Sequence, residues 1–403
     1  MSDTESRRPL DGIRVIEVGQ LLAGPFAGGL LAYYGAEVIK VEPPGSGDPL
    51  RHWRLLDEDG TSFWWRSLGR NKKCITANLR TDEGRNLVRR LVEKSDVLIE
   101  NFRPGRMEKW GLGPEDFADS NPSLIFARIS GYGQDGPYAP KPGFASVCEG
   151  MGGIRYVNGL PGERPMRMNL SIGDSLAGLH TAFGIVMACL HRLKDPGHHG
   201  QVIDTALYES VFNMMEGVIP EYDGAGVIRE PSGSTITGIV PTNTYLCADG
   251  KYIIIGANGD SIFKRLCEAM GRSDMAADPR LTNNAGRVEH EAEIDVAISD
   301  WMESLDSFTA LEQLEQARVP AGPIYNAADM MADKHFQARG LFEEVNVNGS
   351  PLKIPAMTPR LSKTPGRTDW AGGEVGDFND EVYGDLLGLS ADEMAQLKER
   401  GVI

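Results

Sequence analysis

Apolar residues in the first half of the chain come in short runs separated by stretches of helical spacing. Ile13-Arg14-Val15-Ile16-Glu17-Val18 carries apolar side chains on both faces, as a strand covered from two sides requires. A turn through Gly19 leads into a small-residue helix over 25–34, closed by Gly35, and 37–41 reads as the next strand. This is a βαβ unit, which crosses over right-handed into a parallel sheet. The alternation continues with a strand over 74–79, an amphipathic helix over 84–94 and strands over 96–100 and 124–129. A further strand over 201–207 and a helix over 208–217 complete it. The pattern predicts an α/β, doubly wound (Rossmann-like) large domain whose ligand lies outside the carboxyl ends of the strands. The loop after the first strand, Gly19-Gln20-Leu21-Leu22-Ala23-Gly24-Pro25, lacks G-x-G-x-x-G, so a conventional NAD site is not predicted.

The longest apolar period follows Asn169-Leu170-Ser171-Ile172-Gly173-Asp174. Leu176, Leu179, Phe183, Val186, Leu190 and Leu193 recur at steps of three and four up to Asp195-Pro196-Gly197. They predict a helix of about five turns with this stripe in the core. Asp174 stands at its start. One reading makes it an N-cap, accepting a bond from an amide two or three residues on. The other makes it a carboxylate nucleophile, kept anionic by the helix terminus.

Between 223 and 238 the composition shifts to Gly, Ser, Thr and Pro, a linker or flexible loop. A hairpin with its turn at Asp249-Gly250 follows, then helices over 261–270, 289–305 and 307–318. Near Pro320-Ala321-Gly322-Pro323 the chain is expected to return to the first domain. Ser390-Ala391-Asp392-Glu393 is a capping box opening a last helix to Arg400. The expected division is 1–222 plus 325–403 for the large domain and 223–324 for a small α+β domain with flanking linkers.

The 403 residues contain no run of eighteen apolar residues, so no membrane span is predicted. Residues 1–6 are polar and partly acidic, with no leader character, and a cytoplasmic protein is expected. Five cysteines (74, 148, 189, 247, 267) are scattered without metal-ligand spacing and read as reduced thiols, so no metal is expected. A formal charge of −16, from 41 basic and 57 acidic residues, argues against nucleic acid or an anionic membrane as the partner. An anionic ligand would need cations gathered locally, and Arg70-Asn71-Lys72-Lys73, Arg80, Arg103, Arg106 and Lys109 supply a set.

Several of these stretches together resemble the class III CoA-transferase family, which includes formyl-CoA transferase and carnitine CoA-transferase. They are Pro9-Leu10-Asp11-Gly12-Ile13-Arg14-Val15, Ala23-Gly24-Pro25, Gly35-Ala36-Glu37-Val38-Ile39-Lys40-Val41-Glu42 with Gly45-Ser46-Gly47-Asp48, and Asn71-Lys72-Lys73. Glu100-Asn101-Phe102-Arg103-Pro104-Gly105, Gly131-Tyr132-Gly133-Gln134, Gly173-Asp174, Arg339-Gly340-Leu341-Phe342 and Gly401-Val402-Ile403 continue the likeness over almost the whole chain. The resemblance implies an interlocked homodimer and a catalytic Asp174 that attacks the thioester of an acyl-CoA. A mixed anhydride and then an aspartyl-CoA thioester would follow, after which an acceptor acid takes the CoA. Amides at the helix start and the Gly152-Gly153 pair would hold the oxyanion.

Carried over residue by residue, the family's CoA contacts fall on Leu21, Leu22, Ala23, Ala77, Arg80, Asn101, Phe102 and Lys109, with Lys73 and Arg106 of the cationic set beside them. Leu22 and Phe102 would form the adenine slot. CoA and acyl-CoA enter as substrates, with no tightly bound cofactor. Two positions depart from the formyl-CoA pattern: Pro43 replaces an Arg, and Lys109 replaces another Arg, losing its bidentate fork. The racemase branch needs a His in a Gly-His-Asp segment where this chain has Gly143-Phe144-Ala145, and Phe cannot move a proton. Ala145 also replaces an acidic residue, for which Glu149, one helical turn on, is the substitute. The runs 142–147, 152–157 and 171–177 resemble members acting on small dicarboxylic acids such as succinate, malate and mesaconate. Gln20, His52, Glu149, Arg155 and Arg167 are therefore candidate contacts to a small dicarboxylic acid, with Arg54 also in reach. A non-catalytic CoA-binding protein is the reading of a different class; it would keep the cations and have no need of Asp174.

Overall fold

The computed structural model describes residues 7–403, and the expectation placed on residues 1–6 lies outside them. Two compact units are present: 7–154, 168–216 and 335–403 form the larger, and 155–167 with 217–334 form the smaller. In the larger unit β1 (Arg14–Glu17), α1 (Ala23–Tyr33), β2 (Glu37–Glu42), β3 (Lys72–Thr76), α2 (Asp82–Val92), β4 (Val97–Glu100) and α3 (Arg106–Lys109) come first. They are followed by β5 (Ile125–Ser130), α4 (Ala145–Met151), α5 (Ile172–Lys194) and β6 (Val202–Ala206). The strands form one parallel sheet in the order β3-β2-β1-β4-β5-β6. The strand order reverses between β1 and β4, and an open α/β sheet binds its ligand in the crevice at that switch point.

The two-sided apolar pattern has the expected consequence. Ile16, Ile39, Ile75 and Leu98 pack against α2 on one face, while Val15, Val38, Val97 and Ile99 meet α1 and α5 on the other. All eight are fully buried, each contributing about 1.5–3 kcal/mol of transfer free energy. α2 is fixed at its start by Thr81, whose hydroxyl accepts from the Gly84 amide at 3.1 Å.

α5 forms where expected, but its buried face is not the expected one. Gly173, Ala177, Gly178, Thr181, Ala182, Ile185, Ala188 and Cys189 face the core. The large stripe points out: Phe183 is 60% and Leu193 75% exposed, with Leu179, Val186 and Leu190 exposed beside them. The reason is the closeness of α1. A Cβ on Gly178 would lie 2.7 Å from the Ala23 carbonyl oxygen, so only small residues fit between the helices. By length and composition α5 would also cross a membrane, yet its small-residue face is part of the core against α1 and the sheet.

The smaller unit has a three-stranded antiparallel sheet of Thr242–Leu246, Tyr252–Gly256 and Ala321–Pro323. Helices Asp260–Ala269, Glu291–Glu303 and Ser307–Gln316 enclose its core around Ile253, Ile255, Leu266, Ile298 and Leu314. Pro320-Ala321-Gly322-Pro323 is thus the third strand here rather than a return to the larger unit, because 321–323 pairs with 253–255. The stretch expected as a linker begins inside a helix, Val218–Ala225, and the helix expected over 208–217 stops early, at Phe212. Residues 155–167 belong to this unit through bonds such as Tyr156 hydroxyl to Glu230 at 2.8 Å and Gly233 amide to Gly159 carbonyl at 2.9 Å. In the larger unit the Ser390–Glu393 capping box opens helix Ala391–Glu399.

Candidate active site

Two loops flank the switch point, one leaving β1 (19–22) and one leaving β4 (101–104). The Asn101 side chain binds the first loop twice, accepting from the Gln20 amide at 2.8 Å and donating to the Gln20 carbonyl at 2.7 Å. Asp48 accepts from the Leu21 amide at 3.0 Å, and the Lys40 ammonium donates to the Gly19 carbonyl. Leu21 is held at φ +65°, a left-handed conformation unusual for a leucine. Lys40 is fully buried, 2.8 Å from Asp48 and 3.1 Å from Glu17. Burial opposes its charge, but the Asp48 and Glu17 carboxylates outweigh burial and raise its pKa. The second loop is held by Glu100, which accepts from the Phe102 amide at 2.7 Å.

These loops separate two spaces. A groove of about 730 Å³ lies over the ends of β1, β2 and β3, lined by Gln20, Pro43, Ala77, Arg80, Phe102 and Arg106, among others. Trp110 backs Phe102 edge-on, with ring centroids 5.0 Å apart, and Arg106 lies over Trp110. The result is an aromatic wall beside two guanidinium groups, suited to a base and its phosphates. A smaller cavity of about 190 Å³ holds Asp174 together with Leu21, Leu22, Ala23, Asn101 and Phe144. Gln20 and Phe102 line both spaces.

Asp174 is the third residue of α5, and Ser171 is the N-cap, so the N-cap reading of Asp174 is corrected. Glu149 on α4 is buried and accepts from the Gly173 amide at 3.3 Å. A Cβ on Gly173 would lie 3.1 Å from the Glu149 side chain and 3.3 Å from that of Ala145. Glycine at 173 therefore lets α4 abut the start of α5. Burial, followed by the Asp174 and Glu149 carboxylates, pushes the Cys148 thiol up to about 11. The Gly152 and Gly153 amides bond to the Cys148 and Gly150 carbonyls, so the expected oxyanion role of that pair is not supported.

Several predicted contacts are not among the residues lining either space. Lys73 sits early in β3 and pairs with Glu37 at 2.7 Å and Glu381 at 2.6 Å, away from the carboxyl-end groove. Its neighbours are equally engaged: Lys72 bonds Glu17 at 2.8 Å, and Arg70 donates to the Ser67 and Pro355 carbonyls. Lys109 is exposed and is not among the groove-lining residues. Leu22 and Phe102 both line the Asp174 cavity, and of the two Phe102 also lines the groove. His52 is exposed and meets the Ser46 carbonyl at 3.4 Å. Arg155 and Arg167 belong to the smaller unit. Sequence reasoning missed Trp110, whose four-residue spacing from Arg106 was the available signal. It also missed Lys141, which lines the Asp174 cavity. Among the described residues no group of His, Cys, Asp and Glu is arranged to hold a metal.

A family model described as CoA-transferase family III matches residues 10–377. The chain is 48% identical over its full length to the full length of the succinyl-CoA:D-citramalate CoA-transferase of Chloroflexus aurantiacus. It is 39% identical to the succinyl-CoA:L-malate CoA-transferase alpha subunit of Chloroflexus aurantiacus, over 99% of this chain and 94% of that one. A solved CaiB/BaiF family protein from Brucella suis superposes with a TM-score of 0.82 at 34% identity, covering 94% of this chain and all of the other.

Proposed function

The chain belongs to CoA-transferase family III, and from that premise we propose that it transfers CoA from a small dicarboxylyl-CoA such as succinyl-CoA to a second carboxylic acid, with Asp174 as the covalent carrier. The carrying observation is that Asp174 shares its cavity with both loops of the switch point, beside the cationic groove. The relatives that act on D-citramalate and L-malate with succinyl-CoA support the dicarboxylate class.

In this reading CoA lies in the groove, its phosphates near Arg80 and Arg106, and its thioester passes Gln20 and Phe102 to reach Asp174. The carboxylate oxygen of Asp174 attacks the thioester carbon. The C–S bond breaks, CoA leaves as thiolate, and an acyl-aspartyl anhydride remains. The thiolate then attacks the aspartyl carbonyl and frees the donor acid. The acceptor carboxylate repeats the two steps in reverse order. Anhydride and thioester both conserve the activated acyl group, so no nucleotide or tightly bound cofactor is called for. Phe144 in the Asp174 cavity has no proton to exchange, which counts against the racemase alternative. A cytoplasmic setting belongs to the same proposal and is supported by five free, buried thiols.

Incubation with succinyl-CoA and a panel of acids, read by mass spectrometry, tests the reading. Expected is CoA transfer to small dicarboxylic acids at least about tenfold faster than from or to long-chain acyl groups, the scale set by one buried charge contact. Equal turnover of a fatty acyl-CoA overturns the substrate class.

The interlocked homodimer is also part of the proposal. The outward apolar stripe of α5, with Phe183, Leu190 and Leu193 exposed, is the support; such a contiguous face marks an association surface. Light scattering is expected to give twice the chain mass. Phe183→Lys with Leu190→Lys should yield monomer. A wild-type monomer at micromolar concentration would refute the homodimer.

A further inference from the structure

Two cations line the Asp174 cavity and neither is accounted for above. Arg103 follows Phe102 on the loop leaving β4, and Lys141 comes from the segment after β5. The Lys141 ammonium rests 3.4 Å from the Tyr138 ring centroid. Among the described residues neither side chain forms an ion pair, whereas Lys40, Lys72, Lys73, Arg51 and Arg128 all do. Arg80 and Arg106 in the groove are likewise without a carboxylate partner among the described residues, so what marks Arg103 and Lys141 is their place at the cavity that holds Asp174.

We propose that Arg103 and Lys141 bind the second, non-reacting carboxylate of the dicarboxylyl substrate while its thioester carbon lies at Asp174. The inference rests on the CoA-transferase reading and deepens it by naming the residues that select the substrate. The cavity's volume of about 190 Å³ suits a short acyl chain, so a carboxylate at its far end remains close to the walls. A guanidinium offers two parallel donors to a carboxylate, and the ammonium adds a point charge. A monocarboxylyl substrate of the same length would leave both cations without a partner, giving discrimination by a missing charge.

The experiment compares succinyl-CoA with butyryl-CoA, which matches its chain length without the distal charge, in wild type, Arg103→Met, Lys141→Met, the double variant and Arg103→Lys. The quantity read is the ratio of kcat/KM for the two donors. Expected is a fall in that ratio of about 10- to 100-fold in each single variant, the scale of a charge-assisted hydrogen bond, with a further fall in the double variant. Arg103→Lys should recover part of it. A parallel loss with both donors would show that these cations serve the CoA phosphates and would overturn the proposal. An unchanged ratio would overturn it too. Wild-type protein that transfers CoA from neither donor would instead refute the parent reading. Circular dichroism of each variant checks folding, which substitutions of these exposed side chains should leave intact.

Discussion

Asp174→Asn is expected to lose transfer activity by more than about 10⁴-fold, the scale of removing a covalent nucleophile. The substitution keeps the shape of the side chain and removes its negative charge. In the first turn of α5 that charge is worth about 0.3–1 kcal/mol of helix stability, too little to unfold the larger unit. CoA affinity should change little, because the groove residues Arg80, Arg106 and Phe102 are untouched. Isothermal titration with CoA and steady-state transfer from succinyl-CoA separate the two effects. Low-pH quench of the wild type with succinyl-CoA should leave a CoA-sized adduct on the peptide holding Asp174, and the variant should show none. A variant within tenfold of wild type would remove Asp174 from the mechanism and leave the transfer to another group; a wild type that binds CoA without transferring it would favour the non-catalytic reading.

Much of the architecture was legible because parallel strands announce themselves. Ile16, Ile39 and Leu98 sit in runs apolar on both faces, and the helices between them carry clear stops. Periodicity reports a helix and its stripes but not which stripe faces in. On α5 the large residues Leu179, Phe183 and Leu190 gave the stronger stripe, yet the small residues Ala177, Gly178 and Ala182 form the buried one. What decides this is the approach of α1, a tertiary fact with no local signal. Charge counting failed for a related reason. Lys73 looked available because Glu37 and Glu381, which neutralise it, lie far from it in the sequence. Conversely Ala77, Arg80, Asn101 and Phe102 follow strands directly, and strand ends are where such a sheet puts its ligand.

The largest stability effect is expected at Lys40. Lys40→Met should destabilise the larger unit by about 3–5 kcal/mol, because it strips two buried carboxylates of a shared cation. Glu17 would keep Lys72 at 2.8 Å, and Asp48 would keep the Leu21 and Leu50 amides, so the lower end of that range is the better expectation. Lys72→Met should cost less. Burial lowers the pKa of Lys72, with Glu17 opposing and the Lys40 charge adding to the fall, whereas Lys40 is raised by Asp48 and Glu17 in spite of burial. Lys40 is therefore the better-compensated charge and the greater loss. Urea unfolding midpoints followed by tryptophan fluorescence measure the order, and Lys72→Met unfolding at lower urea than Lys40→Met would contradict it. Activity should fall further than stability alone explains. Lys40 holds the Gly19 carbonyl and, through Asp48, the left-handed Leu21. Losing the Gly19 bond and the charge that orients Asp48 lets the loop relax from the conformation that places Gln20 between the groove and Asp174. Assayed well below its unfolding transition, the folded fraction of Lys40→Met should show a lower kcat with the circular dichroism spectrum of the wild type. A full kcat in that fraction would mean that the network stabilises the sheet without setting the site.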